Sequence, residues 1–288
     1  MHILCCPTNW ISKVVLPPSL NRFSYYLASI FKLLFGFDNP ILIAKIFLNP
    51  TLRGVKTVRL RGRRLQFRVR GVMDVWSIKE TFLDRFYEKY GFAIQPDWNI
   101  IDIGAGIGEY TLYAALGQPG INLFSFEPYS ESFVLMQENL RLNAITNVQV
   151  FNDAIGATTG ELILDLAGGE PLQFQSHLDK AVRIEKGVTV NSLSLVDALA
   201  NLGLELCDLL KLDCEGAEYP ILFGAPRSAL ERVQRIVMEY HDNLTPYTHT
   251  DLTNFLQARG FEVETFPNPV HSHLGYLRAQ QKNMKGDL

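Results

Sequence analysis

From Pro96 to the end of the chain, apolar runs of strand length alternate with segments of helical period. This alternation restricts the chain to a mostly parallel sheet covered by helices. The strand-like runs are 99–103, 121–126, 148–153, 161–166, 208–213, 235–240, 261–266 and 274–279, and helical period falls at 108–116, 130–141, 194–202, 227–232 and 250–259. Two strands in succession at the end predict an antiparallel hairpin on the sheet edge. Pro96-Asp97 marks the boundary between an extension, residues 1–95, and a main domain, residues 96–288.

The first strand of that domain, "NIIDI", runs straight into Gly104, Gly106 and Gly108, spaced one residue apart. In a doubly wound sheet ligands bind at the carboxyl ends of the strands near the switch point. Glycines there let the backbone turn sharply and bring its N–H groups against a ligand. The second strand ends in Glu127, 19 residues past Gly108, near the place where an acidic side chain binds a ribose hydroxyl pair. A dinucleotide turn reads GxGxxG and aims a helix N-terminus at a pyrophosphate. This one reads GxGxG behind Asp102, and a carboxylate repels a pyrophosphate. The combination suits a cationic ligand with a ribose, and S-adenosylmethionine carries an ammonium, a sulfonium and a ribose. At the end of the third strand, Asp153 in "FNDAIG" is placed to accept the exocyclic amine of adenine; the competing reading is an Asp that caps a turn.

The fourth strand opens into "LDCEGAEYPIL", which sets Asp213, Glu215 and Glu218 within six residues at the same rim. Clustered carboxylates are costly unless they meet cations, protons or ligand hydroxyls. The fifth strand, "RIVMEYHD", adds Glu239 and His241, two apart and so on one side of a strand. His241 is the first candidate for a general base acting on a hydroxyl nucleophile, with a carboxylate fixing its tautomer. A divalent metal held by Asp213, Glu239 and His241 is the second catalytic reading, and a network of caps and salt bridges competes with both. Lys211, inside the fourth strand, reads as an ion-pair partner.

Charge divides the chain. Residues 1–72 carry 12 Lys/Arg against Asp38 alone, a net of +11, while the remainder carries −14, giving the formal −3 of the whole. Within the basic part, residues 21–37 put Phe23, Tyr26, Leu27, Ile30, Leu34 and Phe37 on one helical stripe with Asn21 as N-cap, and "ILIAKIFL" at 41–48 lies between Pro40 and Pro50. Neither reaches the roughly 18–20 apolar residues of a membrane span. Two helices packed on the main domain are expected; the alternative is an in-plane membrane contact with Lys32, Lys45 and Arg53 near the headgroups. Residues 55–71 predict a hairpin turning at "RGR", and 74–91 a helix ending at Gly91. Cys5, Cys6, Cys207 and Cys214 have neither zinc nor disulfide spacing, which fits a reducing compartment and a cytoplasmic location, at most peripheral to a membrane. The first 20 residues do not read as a signal peptide.

Taken together, "IIDIGAGIGEYTLYAA", "FSFEPYSESFVLMQENLRLN", "FNDAIG", "VTVNSLSLVDAL", "LLKLDCEGAEYPILFGA" and "IVMEYH" resemble the FkbM-family methyltransferases, in the family's order over residues 98–241. "KLDCEGAEYPIL" after a DxGxGxG turn is the most specific element. The resemblance implies a class I methyltransferase fold, a Rossmann-like, doubly wound, mostly parallel seven-stranded sheet ordered 3-2-1-4-5-7-6 with the last strand antiparallel. It implies that Asp102, Gly104, Gly106 and Gly108 form the S-adenosylmethionine turn, that Glu127 holds the ribose and Asp153 the adenine edge. Asp213, Glu215 and Glu218 would face the methyl donor and acceptor. Ala105 stands where the family commonly has Asn, and Cys214 where it has an aliphatic residue. The activity implied is O-methylation of a sugar, a glycan or a small natural product, with no nucleic acid as partner and with residues 1–95 shaping acceptor choice. Two rivals remain: a nicotinamide-dependent Rossmann oxidoreductase, opposed by Asp102 and the GxGxG spacing, and a non-catalytic membrane-associated module, opposed by the filled rim of Asp213, Glu239 and His241.

Overall fold

The computed structural model describes residues 18–49, 52–166, 175–177, 186–268 and 270–283. Helices α1 (Pro18–Gly36) and α2 (Pro40–Leu48) precede a hairpin of β1 (Lys56–Arg59) and β2 (Gln66–Val69). Helix α3 (Val72–Lys79), a π-helical turn at Glu80–Asp84 and α4 (Phe86–Lys89) then lead into the sheet. The first half of the sheet is β3 (Asn99–Ile103), α5 (Glu109–Gly117), β4 (Asn122–Phe126), α6 (Ser130–Leu142) and β5 (Val148–Phe151). A small sheet follows, made of β6 (Ala154–Gly156), β7 (Gly160–Asp165), β8 (Gln175–His177) and β9 (Gly187–Ser194). The second half comprises α7 (Leu195–Asn201), β10 (Leu209–Leu212), α8 (Glu218–Gly224), α9 (Arg227–Leu230), β11 (Arg235–His241), α10 (His249–Gln257), β12 (Phe261–Pro267) and β13 (Leu274–Gln281).

The central sheet runs β5-β4-β3-β10-β11-β13-β12, with β13 antiparallel to both of its neighbours. Counted along the sheet's own strands this is 3-2-1-4-5-7-6, the doubly wound order of a class I methyltransferase. The central strands β3, β4 and β10 are buried on both faces beneath helices and are apolar apart from Asn99, Asn122, Ser125 and the Asp102–Lys211 pair. Register decides what reaches the rim. Ile103 pairs with Phe126 and with Leu212, so β3, β4 and β10 end level. Leu212 pairs with Met238, so β11 continues past that line and carries Glu239 and His241 over the edge.

One core lies beneath α7, α8 and α10, where Ile101, Ile103, Leu210 and Leu212 meet Leu199, Leu222 and Leu252. On the other face the extension has no core to itself: Leu33, Phe37, Phe67 and Ile78 pack in one cluster with Ala105, Leu112 and Met136. A buried ammonium fastens α1 to α3. Lys79 Nζ pairs with Asp84 at 2.6 Å, donates to the Tyr25 hydroxyl at 3.1 Å and lies 4.1 Å from the Trp76 ring centre.

Several expectations change. α1 begins at Pro18, three residues before Asn21, so Asn21 is not its N-cap. Its buried face is Ser29, Leu33 and Phe37, whereas Phe23, Tyr26, Leu27 and Ile30 are exposed, because small Ser29 faces the rest of the protein. The helix expected at 74–91 is broken by the π-helical turn and by Arg85 at φ 56°, a left-handed conformation that ends the turn and restarts the chain as α4. β6, β8, β9 and α8 were not expected; β6 and β8 have three residues each, β9 is half exposed and has no apolar run, and α8 carries Pro220, which masks its helical period. The hairpin is as read, with Val58 opposite Phe67. Residues 1–17, with Cys5 and Cys6, lie outside the described residues, and Cys207 and Cys214 carry free thiols. Among the described residues no helix is long and apolar enough to cross a membrane.

Candidate functional site

A cavity of about 800 Å³ opens where β3, β4, β10 and β11 end, within the size range of ligand pockets. Gly104, Gly106 and Glu109 form its floor, and Glu127, Pro128 and Tyr129 one wall. Asp213, Cys214, Glu215, Glu239 and His241 form the opposite wall, and Tyr25, Ser29, Trp76 and Glu80 of the extension roof it.

The glycine turn divides its labour. A Cβ on Gly104, at φ 72°, would collide with the carbonyl oxygen of Asp213, so this glycine lets the loops after β3 and β10 cross. Gly106, at φ 56°, faces the cavity and donates its N–H to Glu127 at 2.8 Å. The other Glu127 oxygen accepts the Tyr129 N–H at 2.8 Å. Burial nonetheless pushes the Glu127 carboxyl up to about 7. Gly108 lines no part of the cavity and packs before α5 against Met136. Asp102 is also absent from the cavity surface: fully buried, it pairs with Lys211 at 2.9 Å and accepts the Thr111 hydroxyl at 2.8 Å. Its place is beneath the turn, because β3 ends with that side chain pointing into the core. Lys211 is the ion-pair partner expected, and its Nζ also donates to the Gly104 carbonyl at 2.9 Å.

The carboxylate that does face the cavity there is Glu109, which the sequence reading passed over. Its Oε2 is buried without a hydrogen-bond partner, and burial pushes the group up to about 8. An acid directly after the last glycine was the available signal. Glu80 and Tyr87 were also missed. Burial raises Glu80 to about 7, and the Tyr87 hydroxyl donates to Asp213 Oδ2 at 2.6 Å.

On the rim, Glu218 is fully buried and outside the cavity. Its two oxygens accept the N–H groups of Cys214 at 2.7 Å and Gly216 at 2.8 Å, which fixes the turn carrying Asp213 and Glu215. It also meets His241 Nδ1 at 3.2 Å, while His241 Nε2 lies 3.6 Å from Glu215. Burial disfavours the imidazolium, but Glu218, and then Glu215 and Glu239, outweigh it and hold His241 well above the usual histidine range. A histidine so placed favours its protonated form, which weakens it as a base. Glu239 is held well above the carboxylate range by burial, Asp213 and Glu80, and Glu215 is pushed to about 7, mainly by burial. Asp213, Glu239 and His241 each offer a donor atom within 4.8 Å of the others, a set that fits a divalent cation. Asp153 stands apart, on a smaller cavity of about 330 Å³ with Phe124, Phe151 and Leu193.

The Methyltransferase FkbM domain family matches residues 102–263. The 31-O-demethyl-FK506 methyltransferase FkbM of Streptomyces tacrolimicus is 24% identical over 243 residues, covering 75% of this chain and 92% of that protein. The 2-O-methyltransferase NoeI of Sinorhizobium fredii is 27% identical over 161 residues, 51% of this chain and 65% of that one. The AMB antimetabolite synthetase AmbE of Pseudomonas aeruginosa is 29% identical over 223 residues, which are 64% of this chain and 10% of that much longer protein. The family match takes in more than half of the chain, from Asp102 through the glycine turn and Glu127 to the acidic rim and β11, and by it the chain belongs to the FkbM methyltransferase family.

Proposed function

We propose that this methyltransferase uses S-adenosylmethionine to methylate a hydroxyl oxygen of a sugar, a glycan or a small natural product. The observation that carries the reading is the cavity at the carboxyl ends of β3, β4, β10 and β11, lined on its glycine-turn floor by Gly104, Gly106 and Glu109 and beside it by Glu127. A ligand with an ammonium and a sulfonium fits that floor, and Glu127, held by two backbone N–H groups, fits its ribose. The printed names of two relatives, a 31-O-demethyl-FK506 methyltransferase and a 2-O-methyltransferase, support oxygen as the acceptor atom.

S-adenosylmethionine, when bound, supplies a methyl group already activated on its sulfonium, so most of the protein's contribution is alignment. Asp213, oriented by the Tyr87 hydroxyl, takes the proton of the acceptor hydroxyl. His241, cationic between Glu218 and Glu215, stabilises the charge that develops on the acceptor oxygen. Tyr25, Trp76 and Glu80 of the roof cover the acceptor side and exclude water.

Replacing Gly106 by valine places a branched side chain at a positive φ on the cavity floor. S-adenosylmethionine affinity measured by calorimetry should fall below detection; wild-type affinity would remove the site assignment. A second reading, a divalent metal on Asp213, Glu239 and His241, is favoured by the closeness of their donor atoms. It requires His241 to give up its proton. Full activity after EDTA treatment sinks it, whereas loss that magnesium restores would establish it.

A further inference from the structure

The outer face of α1 and α2 is apolar and bare. Phe23, Phe35, Ile41 and Leu48 are 69%, 64%, 74% and 84% exposed, and Phe31 and Phe35 stack on each other in the open, their ring centres 6.2 Å apart. Scattered apolar residues on a surface are ordinary, but a contiguous stripe of this kind marks an interaction site. On α1 the exposed positions 23, 27, 30, 31 and 35 recur at helical spacing. On α2, Ile41, Lys45 and Leu48 share one face, so a cation stands between two bare aliphatic side chains.

Two further observations say what covers this face. The first is charge. Between Arg22 and Arg70 the chain carries 11 Lys/Arg against Asp38 alone; Lys32, Arg61, Arg68 and Arg70 pair with Asp84, Asp38, Glu138 and Asp74, and the positive excess rests on the other seven. The hairpin brings part of that charge alongside α1, since the Arg61 N–H donates to the Gly36 carbonyl and the Asp38 N–H to the Arg59 carbonyl, both at 2.8 Å. A second copy of this chain would set one basic face against another. The second observation is continuity with the site: Tyr26 and Ile30 are exposed on this face and also line the cavity, joined inside it by Leu33 and Phe47.

We infer that α1 and α2 dock in plane on an anionic membrane surface, with the apolar side chains among the acyl chains and the lysines and arginines at the headgroups. The cavity mouth then faces the bilayer, and the acceptor is an amphiphile whose hydroxyl enters past Tyr26 and Ile30. The identity of the acceptor rests on the methyl-transfer reading, but the docking does not. The test is flotation of the full chain with vesicles of phosphatidylcholine alone or mixed with phosphatidylglycerol, without cofactor or acceptor, so its outcome is independent of that reading.

Binding is expected to the phosphatidylglycerol vesicles, to weaken with salt, and to fall roughly tenfold or more in the Ile41→Asp/Leu48→Asp double variant. Neither residue lines the cavity, so that variant should keep wild-type circular dichroism and melting temperature. A Lys45→Glu variant should lose the preference for phosphatidylglycerol. The inference is overturned if the chain fails to float with phosphatidylglycerol vesicles at low salt. It is equally overturned if the double variant, folded by those measures, floats as well as the wild type. A concentration-dependent dimer in sedimentation velocity that the double variant abolishes, with no flotation, would assign the face to a second copy and also overturn it.

Discussion

In the proposed reaction Asp213 takes the acceptor's proton while His241 keeps its own, and their surroundings favour that division. Asp213 accepts a hydrogen bond from Tyr87, while His241 sits among three carboxylates that hold its proton. Asp213→Asn should therefore lower kcat by roughly 10²–10⁴-fold and leave S-adenosylmethionine affinity nearly unchanged. His241→Ala should cost less and should not abolish any fall in rate as pH drops through 7 to 6; an acidic limb in that range that disappears with the histidine would restore it as the base. These partners were only half legible in the sequence. Glu239 and His241 could be placed on one side of a strand by their spacing, but Tyr87 lies 126 residues from Asp213, and no local pattern links them. Glu109 was hidden for a different reason. An acid in the first turn of a helix is the ordinary partner of the helix dipole, and only burial without a hydrogen-bond partner sets this one apart.

At the scale of elements, the glycine turn is held from below by a charge pair between neighbouring parallel strands. Lys211 on β10 lies opposite Asp102 on β3, and its ammonium reaches both that carboxylate and the Gly104 carbonyl. Lys211→Met removes the cation from a side chain that is fully buried and leaves Asp102 uncompensated. Breaking a buried pair in this way costs about 3–5 kcal/mol, so chemical denaturation should show a loss of that order, and a change under 1 kcal/mol would mean that water reaches Asp102. The strands themselves were readable because short apolar runs alternate with segments of helical period. The π-helical turn was not. Residues 74–91 keep a helical period throughout, yet the turn at Glu80–Asp84 is π-helical; the Trp76 indole donates to Glu80 at 2.9 Å within the segment, Lys32 of α1 pairs with Asp84, and Glu80 lines the cavity. β6, β8 and β9 have three to eight residues each and are held by pairing, β6 with β9 and both β8 and β9 with β7, which no single segment displays.

For the molecule as a whole, the cavity is an excess of buried carboxyl groups awaiting positive charge. Burial raises Glu80, Glu127 and Glu215 to about 7 and Glu109 to about 8, from an ordinary value of 4.5. Between those limits the folded chain binds more protons than the unfolded chain, so folding stability falls as pH rises from 4.5 toward 8. Melting temperatures of the cofactor-free protein should follow that slope over this window. A cationic ligand reverses the preference, because it favours the ionised carboxylates. S-adenosylmethionine binding at neutral pH should therefore release protons, and calorimetric enthalpies should differ between buffers of different ionisation enthalpy; identical enthalpies would show that these groups are already ionised.

The hydrophobic cluster in which Phe37, Phe67 and Ile78 meet Leu112 and Met136 bears on how acceptor choice can change. The segment that roofs the cavity is cemented to the helices behind the cofactor turn. A chimera that exchanged residues 1–95 between relatives would exchange half of a core along with the roof. Under the proposed methyl transfer, acceptor preference would be retuned one roof residue at a time, at Tyr25, Ser29 or Trp76, rather than by transplanting the extension whole.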